Sequence, residues 1–146
     1  MQTSRPIHPD FQFLLDFKDQ ALISLFCDLR EFIIGLHPGC NELLYHTHAL
    51  TAVFSVSDKL SDAFCMLPVY TRHLNLGFNK GTLLQDPCRL LTGTGSLIRH
   101  IDVAAPGDYR NPDVQALIRE AIGLAVRDMG KPARITGATI SKIGKK

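Results

Sequence analysis

The stretch RHLNLGF, residues 72–78, decides the fold class because its polar and apolar side chains alternate. Leucine or phenylalanine stands at positions 74, 76 and 78, and histidine, asparagine and glycine stand at positions 73, 75 and 77. A period of two is typical of a β-strand that has one face on a core and the other open to solvent. The stretch therefore predicts an antiparallel sheet with a polar face.

Strand-like patterns recur on both sides of this segment. They occupy NELLYHTHAL (41–50), TAVFSVSDK (51–59), AFCMLPVY (63–70) and LIRHIDV (97–103). The segment SDKLSD (57–62), which joins the end of the second of these to the third, is rich in Ser, Asp and Lys, as turns are. We therefore expect about five strands.

Two helices flank the strands in the sequence. From Lys18 to Leu36 apolar residues recur at helical spacing, and HPGC then ends the pattern. In residues 111–130 Asn111 is a predicted N-cap, Pro112 occupies the first helical position and Gly130 closes the helix. The order helix, strands, helix predicts an α+β fold, with an antiparallel sheet packed against an N-terminal and a C-terminal helix.

Composition is typical of one soluble domain. The chain has 146 residues, of which 45% are hydrophobic and 21% are charged. A bilayer span needs an apolar run of roughly 18 residues, and the chain has none that long. The first residues, MQTSRPIHPDFQ, lack the continuous apolar stretch of a secretory signal. The four cysteines form no C-x-x-C pair and are expected to be reduced (Cys27, Cys40, Cys65 and Cys88). We expect a cytoplasmic protein without a membrane partner.

Charge divides the chain into two parts. Residues 1–130 carry 11 Lys and Arg against 14 Asp and Glu, a net charge of −3, whereas residues 131–146 carry five basic residues and no acid. Five charges make a weak footprint for nucleic acid, and a chain end is more often solvated. The prediction is one domain over 1–130 and a flexible basic tail over 131–146.

The glycine-rich segment 75–100 does not match a nucleotide-binding loop. A phosphate loop needs G-x-x-x-x-G-K-[ST] before a helix, but Gly81 is followed by Thr82. The dinucleotide fingerprint needs a third glycine where Ile98 stands. The glycines are interpreted as turns, and QDPCRLL as a short helical turn capped by Asp86. No catalytic signature is found, which favours a non-catalytic protein.

Histidines and acids raise the question of a metal site. His46 and His48 could share one strand face with Glu42 near them, and His73 and His100 lie on other strands. Converging imidazoles with a carboxylate would suit zinc or iron, whereas single strand histidines are usually surface or hydrogen-bonded residues. The acids of the first helix and strand are interspersed with Lys18 and Arg30, which favours a solvated mixed-charge face over a cation site (Asp16, Asp19, Asp28, Glu31 and Glu42).

Four stretches carry a family resemblance. NELLYHTHAL, YTRHLNLGFNKGTLLQDP, RLLTGTGSLIRHIDV and VQALIREAI together resemble the YdhG-like family, a bacterial domain of unknown function, over residues 18–126. The resemblance implies a compact α+β domain similar to frataxin-like folds, and one family branch has been assigned an iron-chaperone role. The residues that match the family motif are Glu42, Tyr45, His73, Asn75, Asp86, Arg99 and His100. His46 and His48 lie outside it, and the first helix is not acid-rich as iron binding would require.

These residues suggest three functions. The first is a binding module in which Tyr45, His73, Asn75, Asp86, Arg99 and His100 hold a small anionic ligand, with Arg99 as a planar fork, or in which Glu42, His46 and His48 hold a metal ion. The alternative is that Arg99 pairs with Asp86 or Glu42 and the histidines satisfy backbone groups. The second function is a frataxin-like iron chaperone, and the third is a homodimeric interaction domain.

Overall fold

The computed structural model describes residues 5–132 and 135–144. Within these ranges the chain forms three α-helices, which are α1 (Pro9–Leu15), α2 (Gln20–Leu36) and α3 (Pro112–Asp128). The strands are β1 (Asn41–His46), β2 (Leu50–Ser55), β3 (Ala63–Val69), β4 (Leu74–Phe78), β5 (Arg99–Val103) and β6 (Thr139–Ser141). The α+β class is as predicted.

The strands form one six-stranded sheet in the order β5-β4-β3-β2-β1-β6. Each strand from β1 to β4 pairs antiparallel with the next in the chain, whereas β6 pairs parallel with β1. The sheet is therefore mixed and has one strand more than the five predicted. Three residues are too few for a period of two to be recognised, which is why β6 gave no strand signal.

The helices begin where the sequence provides caps. The Asn111 side chain accepts from Val114 N at 2.9 Å, and Pro112 takes the first position of α3, as predicted. The His8 side chain caps α1, accepting from Asp10 N at 3.1 Å. Local hydrogen bonds thus fix two of the three helix starts within the described residues.

The three helices share one core with one face of the sheet. Phe26, Ile33, Leu117 and Ile118 from α2 and α3 are buried there with alternate residues of every strand from β1 to β5. A smaller cluster of Leu43, Val53 and Ala63 lies on the opposite face and includes no helix residue. We call that opposite face the open face of the sheet. Among the described residues, none of the helices is both long and apolar enough to span a bilayer.

Part of the predicted flexible tail belongs to the sheet. Glu42 N donates to Ala138 O at 2.9 Å and Lys142 N to Leu44 O at 2.8 Å, so β6 extends the edge of β1. This differs from the predicted domain boundary at residue 130. Three of the tail's basic residues lie outside the described residues (Arg134, Lys145 and Lys146).

Candidate functional site

Two of the predicted ligand-binding residues, Asn75 and His100, are neighbours on the open face. Asn75 pairs across β4 and β5 with Asp102, and His100 Nε2 lies 3.2 Å from Asp102 Oδ1. With its amide nitrogen turned towards Asp102, Asn75 donates to the same oxygen at 3.3 Å. The three side chains therefore satisfy one another, and Asp102 is the member that the sequence did not single out.

Tyr45 and His73, two further predicted ligand-binding residues, lie apart from the Asn75–His100 group. Tyr45 is half-buried on the open face but on β1, three strands away from β4. Burial raises the pKa of its hydroxyl. His73 lies in the turn before β4, is exposed, and stacks on Tyr70 with ring centroids 4.4 Å apart. The structure does not gather these side chains into one pocket.

Arg99 faces away from its neighbour His100. Successive strand residues point to opposite faces, and Arg99 pairs with Phe78, whose side chain belongs to the helix-covered core. Its guanidinium donates to the carbonyls of Gly95 and, at 3.3 Å, Ile98. It pairs with neither Asp86 nor Glu42, so both the predicted anion fork and the predicted ion pairs are replaced by bonds to its own loop.

Glu42 is part of a buried ion pair. Its carboxylate accepts from Arg30 Nε at 2.7 Å and Arg30 Nη2 at 2.8 Å, and Thr139 Oγ1 donates to it at 3.0 Å. Two further N–H groups of the Arg30 guanidinium donate to the carbonyls of Arg5 and Pro6 at 2.7 and 3.2 Å. This network joins α2, β1, β6 and the segment before α1.

The predicted metal ligands are separated. Glu42 is buried near the start of β1, whereas His46 at its end and His48 in the following turn are exposed. Among the described residues no group of three or more His, Cys, Asp and Glu side chains could hold a metal ion. Of the acids of the first helix and strand, Asp28 is engaged by Arg110 at 2.8 and 3.0 Å and by the Tyr109 hydroxyl.

The cysteines are free thiols, as expected, and are not activated. Burial raises the pKa of Cys65 well above its ordinary value and that of Cys40 to about 11. Burial also raises the pKa of the half-buried Cys27 thiol, and the Asp113 carboxylate raises that of the exposed Cys88. A nucleophilic cysteine needs a lowered pKa, so these thiols are not poised for covalent chemistry.

One well-formed cleft lies between α3 and the segment Gln85–Leu90, which we call the connector. Its volume is about 230 Å³. The connector supplies Pro87 and Leu90 to the lining, and α3 supplies Ala116 and Leu117. We call these four apolar residues the floor of the cleft. The acidic residues Asp86, Asp113 and Glu120, which we call the rim, complete the lining together with Gln85 and Cys88. Concave, mostly apolar sites with a few polar groups are where small ligands bind.

The connector is held in place by two of these carboxylates. Asp86 has a positive φ of 44° and accepts from Leu90 N at 2.8 Å and Leu91 N at 3.0 Å. Both oxygens of Glu120 accept from Gln85 N, at 2.9 and 3.2 Å. Asp86 therefore shapes a turn, as an Asx side chain does, but does not cap the helical turn that was predicted.

A depression between β3 and α3 holds only about 10 Å³, and two others are larger than the connector cleft. One, of about 560 Å³, lies beside α1 and includes His46, and another, of about 640 Å³, lies around the loop 57–62 and includes the ion pair of Lys80 with Asp128. The linings of these two larger depressions are more polar than that of the connector cleft. The connector cleft is the candidate site.

Sequence reasoning found one residue of this cleft, Asp86, and missed its α3 wall. Asp113 lies in the first turn of α3, where the helix dipole favours an acid, so its presence there does not by itself indicate a binding site. A signal was present, because positions 113, 117 and 120 are separated by four and three residues and so share one helix face. What the sequence lacked was the information that the connector packs on that face.

Comparisons with known proteins found no matching family model, no matching curated protein and no matching solved structure.

Proposed function

We propose that this chain is a small, non-catalytic binding module of the YdhG-like family and that its ligand binds in the connector cleft. The observation that carries the proposal is the composition of the cleft walls. One wall comes from GTLLQDP and the other from VQALIREAI, two of the segments on which the family resemblance rests. A signature that maps to opposite walls of one cavity is accounted for by a ligand between them.

The chain order supports the frataxin-like part of the proposal. Strands β1 to β5 follow one another antiparallel, and the helices before and after them pack on the same face. Free thiols at all four cysteines agree with the reducing cytoplasm. Many functions share one fold, so the cleft, and not the fold, supports the binding function.

The chemistry of the lining favours binding over catalysis. Its nine residues include no hydroxyl, imidazole or amine, and its thiol, Cys88, has a raised pKa. The carboxylates of Asp86 and Glu120 already accept backbone N–H groups. The lining therefore offers no activated thiol, hydroxyl or amine as a nucleophile.

The expected ligand class changes with this location. A small anion would be repelled by three carboxylates, and Arg99 lies outside the cleft. Iron binding would need several carboxylates in reach of one ion, and the described residues bring no such group together. The homodimer hypothesis stays a prediction that light scattering would test.

The experiment is a titration of the labelled protein with three probes of one shape: benzyl alcohol, benzylamine and phenylacetate. We expect at least one to shift the amide signals of Leu90, Ala116 and Leu117 at millimolar concentration, with remote signals unmoved. Ala116→Phe should fill the cleft and abolish the shifts. Val126→Phe, at an exposed position of the same helix, is the matched control.

Two results would overturn the proposal. One is that no probe perturbs the cleft amides of the wild-type protein. The other is that Ala116→Phe, with an unchanged melting temperature, binds as well as the Val126→Phe control.

A further inference from the structure

We infer that the connector cleft selects an organic cation, in which an ammonium, amidinium or guanidinium group is attached to a small apolar body. The inference rests on the proposed function and adds the chemical class of the ligand. It follows from the charge of the rim, the apolar floor and the size of the cavity.

The rim carries three negative charges without a basic partner. Among the described residues no Lys, Arg or His nitrogen lies within salt-bridge distance of a carboxylate oxygen of Asp86, Asp113 or Glu120. By contrast, other carboxylates of the domain are neutralised, Asp28 by Arg110 and Asp128 by Lys80. The nine lining residues therefore carry a formal charge of −3 with no basic residue among them, and the one basic residue of the connector, Arg89, is not part of the lining.

The helix dipole does not cancel this charge. Asp113 lies in the first turn of α3, where the partial charge of the helix end is about +0.5. Three carboxylates outweigh that half charge several-fold. An incoming cation is attracted, and an anion of the same shape is repelled.

The carboxylates are also positioned to accept further hydrogen bonds. Glu120 and Asp86 each bond backbone N–H groups, but a carboxylate has about four lone-pair sites and uses only part of them here. The bonds hold the oxygens in place at the rim. A ligand N–H group would find acceptors that do not need to be ordered first.

The floor defines the rest of the ligand. Leu90 and Leu117 line the cavity, and a bare inorganic cation would leave these side chains without a partner. The cavity volume is about 230 Å³. Pockets for drug-sized ligands begin at roughly 300 Å³, so this cleft takes something smaller. The body that fits is a single ring or a short branched alkyl group, with its cationic group at the rim.

The test compares benzylamine, benzyl alcohol and phenylacetate by calorimetry or amide shifts at low ionic strength. We expect benzylamine to bind about tenfold more tightly than benzyl alcohol, and phenylacetate to bind least. Raising the salt concentration to about 1 M, where the Debye length is about 3 Å, should remove most of the difference.

Two isosteric variants probe the rim. Glu120→Gln keeps an oxygen that can accept from Gln85 N, and Asp113→Asn keeps the side-chain shape. Each should weaken benzylamine binding about three- to fivefold, as expected for one partly exposed charge, and leave benzyl alcohol binding unchanged. Asp58→Asn, an exposed acid on the β2–β3 loop, is the control and should change neither.

The outcomes separate the two proposals. If benzyl alcohol binds in the cleft as tightly as benzylamine, the cation inference is wrong although the binding site stands. If Asp58→Asn weakens benzylamine as much as Glu120→Gln does, the preference is a general effect of surface charge and the inference also fails. If no probe binds, the proposed function itself is wrong.

Discussion

Substituting Glu42→Gln tests whether the Arg30–Glu42 ion pair is as buried as the structure places it. The Arg30 and Glu42 side chains are 4% and 2% exposed, and their closest N–O distance is 2.7 Å. Glutamine keeps the shape of the side chain but removes its charge. Arg30 would then remain as an uncompensated charge in the interior.

The expected cost is large. Removing one partner of a buried pair typically costs about 3–5 kcal/mol, and total stability is only about 5–15 kcal/mol. Arg30 keeps its bonds to the carbonyls of Arg5 and Pro6 in the variant. We therefore expect the lower end of the range, about 3 kcal/mol. The variant should fold, but with much of its stability lost.

The matched control is Asp128→Asn. Lys80 and Asp128 are 2.8 Å apart, nearly the same distance, but their side chains are 23% and 42% exposed. Solvent screens such a pair, so its loss should cost at most about 1 kcal/mol. The N–O distance is nearly the same in the two ion pairs, whereas their burial differs. Burial therefore decides the ratio of the two losses in unfolding free energy.

Urea unfolding followed by circular dichroism measures both variants. The midpoint should fall about three times further for Glu42→Gln than for Asp128→Asn, with unchanged slopes. Arg30→Met combined with Glu42→Leu should recover part of the loss, because apolar replacements leave no buried charge. Equal shifts in the two single variants would refute the reasoning, since they would mean that the buried pair is screened like the exposed one.

Three further outcomes are expected. A Cβ added at Gly81 would lie 2.8 Å from the backbone nitrogen of Arg99, whereas one at Gly107 would meet open space. Gly81→Ala should therefore destabilise by about 1–3 kcal/mol in a thermal melt, and Gly107→Ala should change little. Burial and the Asp28 carboxylate raise the pKa of Tyr109. The Tyr109 hydroxyl therefore contributes fully to stability below about pH 10, and this contribution is lost as the pH rises further. Tyr109→Phe should flatten the alkaline decline in the urea midpoint. Among the described cysteines Cys88 is the exposed one, so a thiol reagent should modify one site per chain first, and a peptide map showing a buried cysteine first would contradict the packing.

Local chemistry explains what the sequence predicted correctly. Helix α3 follows from Asn111, Pro112 and a helical period, all of which act within a few residues. The strand at 74–78 follows from alternation, and its apolar positions are indeed buried. These signals need no knowledge of the rest of the chain.

The candidate site depends on contacts between distant segments. The same alternation that predicts β5 requires Arg99 and His100 to face opposite sides, so their grouping into one site contradicted the strand assignment itself. Asn75 meets Asp102 only because of the β4–β5 register, and Glu42 finds Arg30 only because α2 packs on β1. The connector cleft likewise needs the docking of residues 85–90 on a helix that begins more than twenty positions further along the chain.

Strand β6 has a consequence for the behaviour of the unfolded and partly folded chain. Strands β1 to β5 pair with sequence neighbours, whereas β6 reaches β1 across nearly a hundred positions of the chain, so it is expected to dock late. Until then β1, with the apolar run Leu43–Tyr45, is a bare edge that can template pairing with another chain. By pairing with β1, strand β6 covers this edge and so reduces edge-to-edge aggregation. A chain shortened before residue 135 is expected to lose that protection.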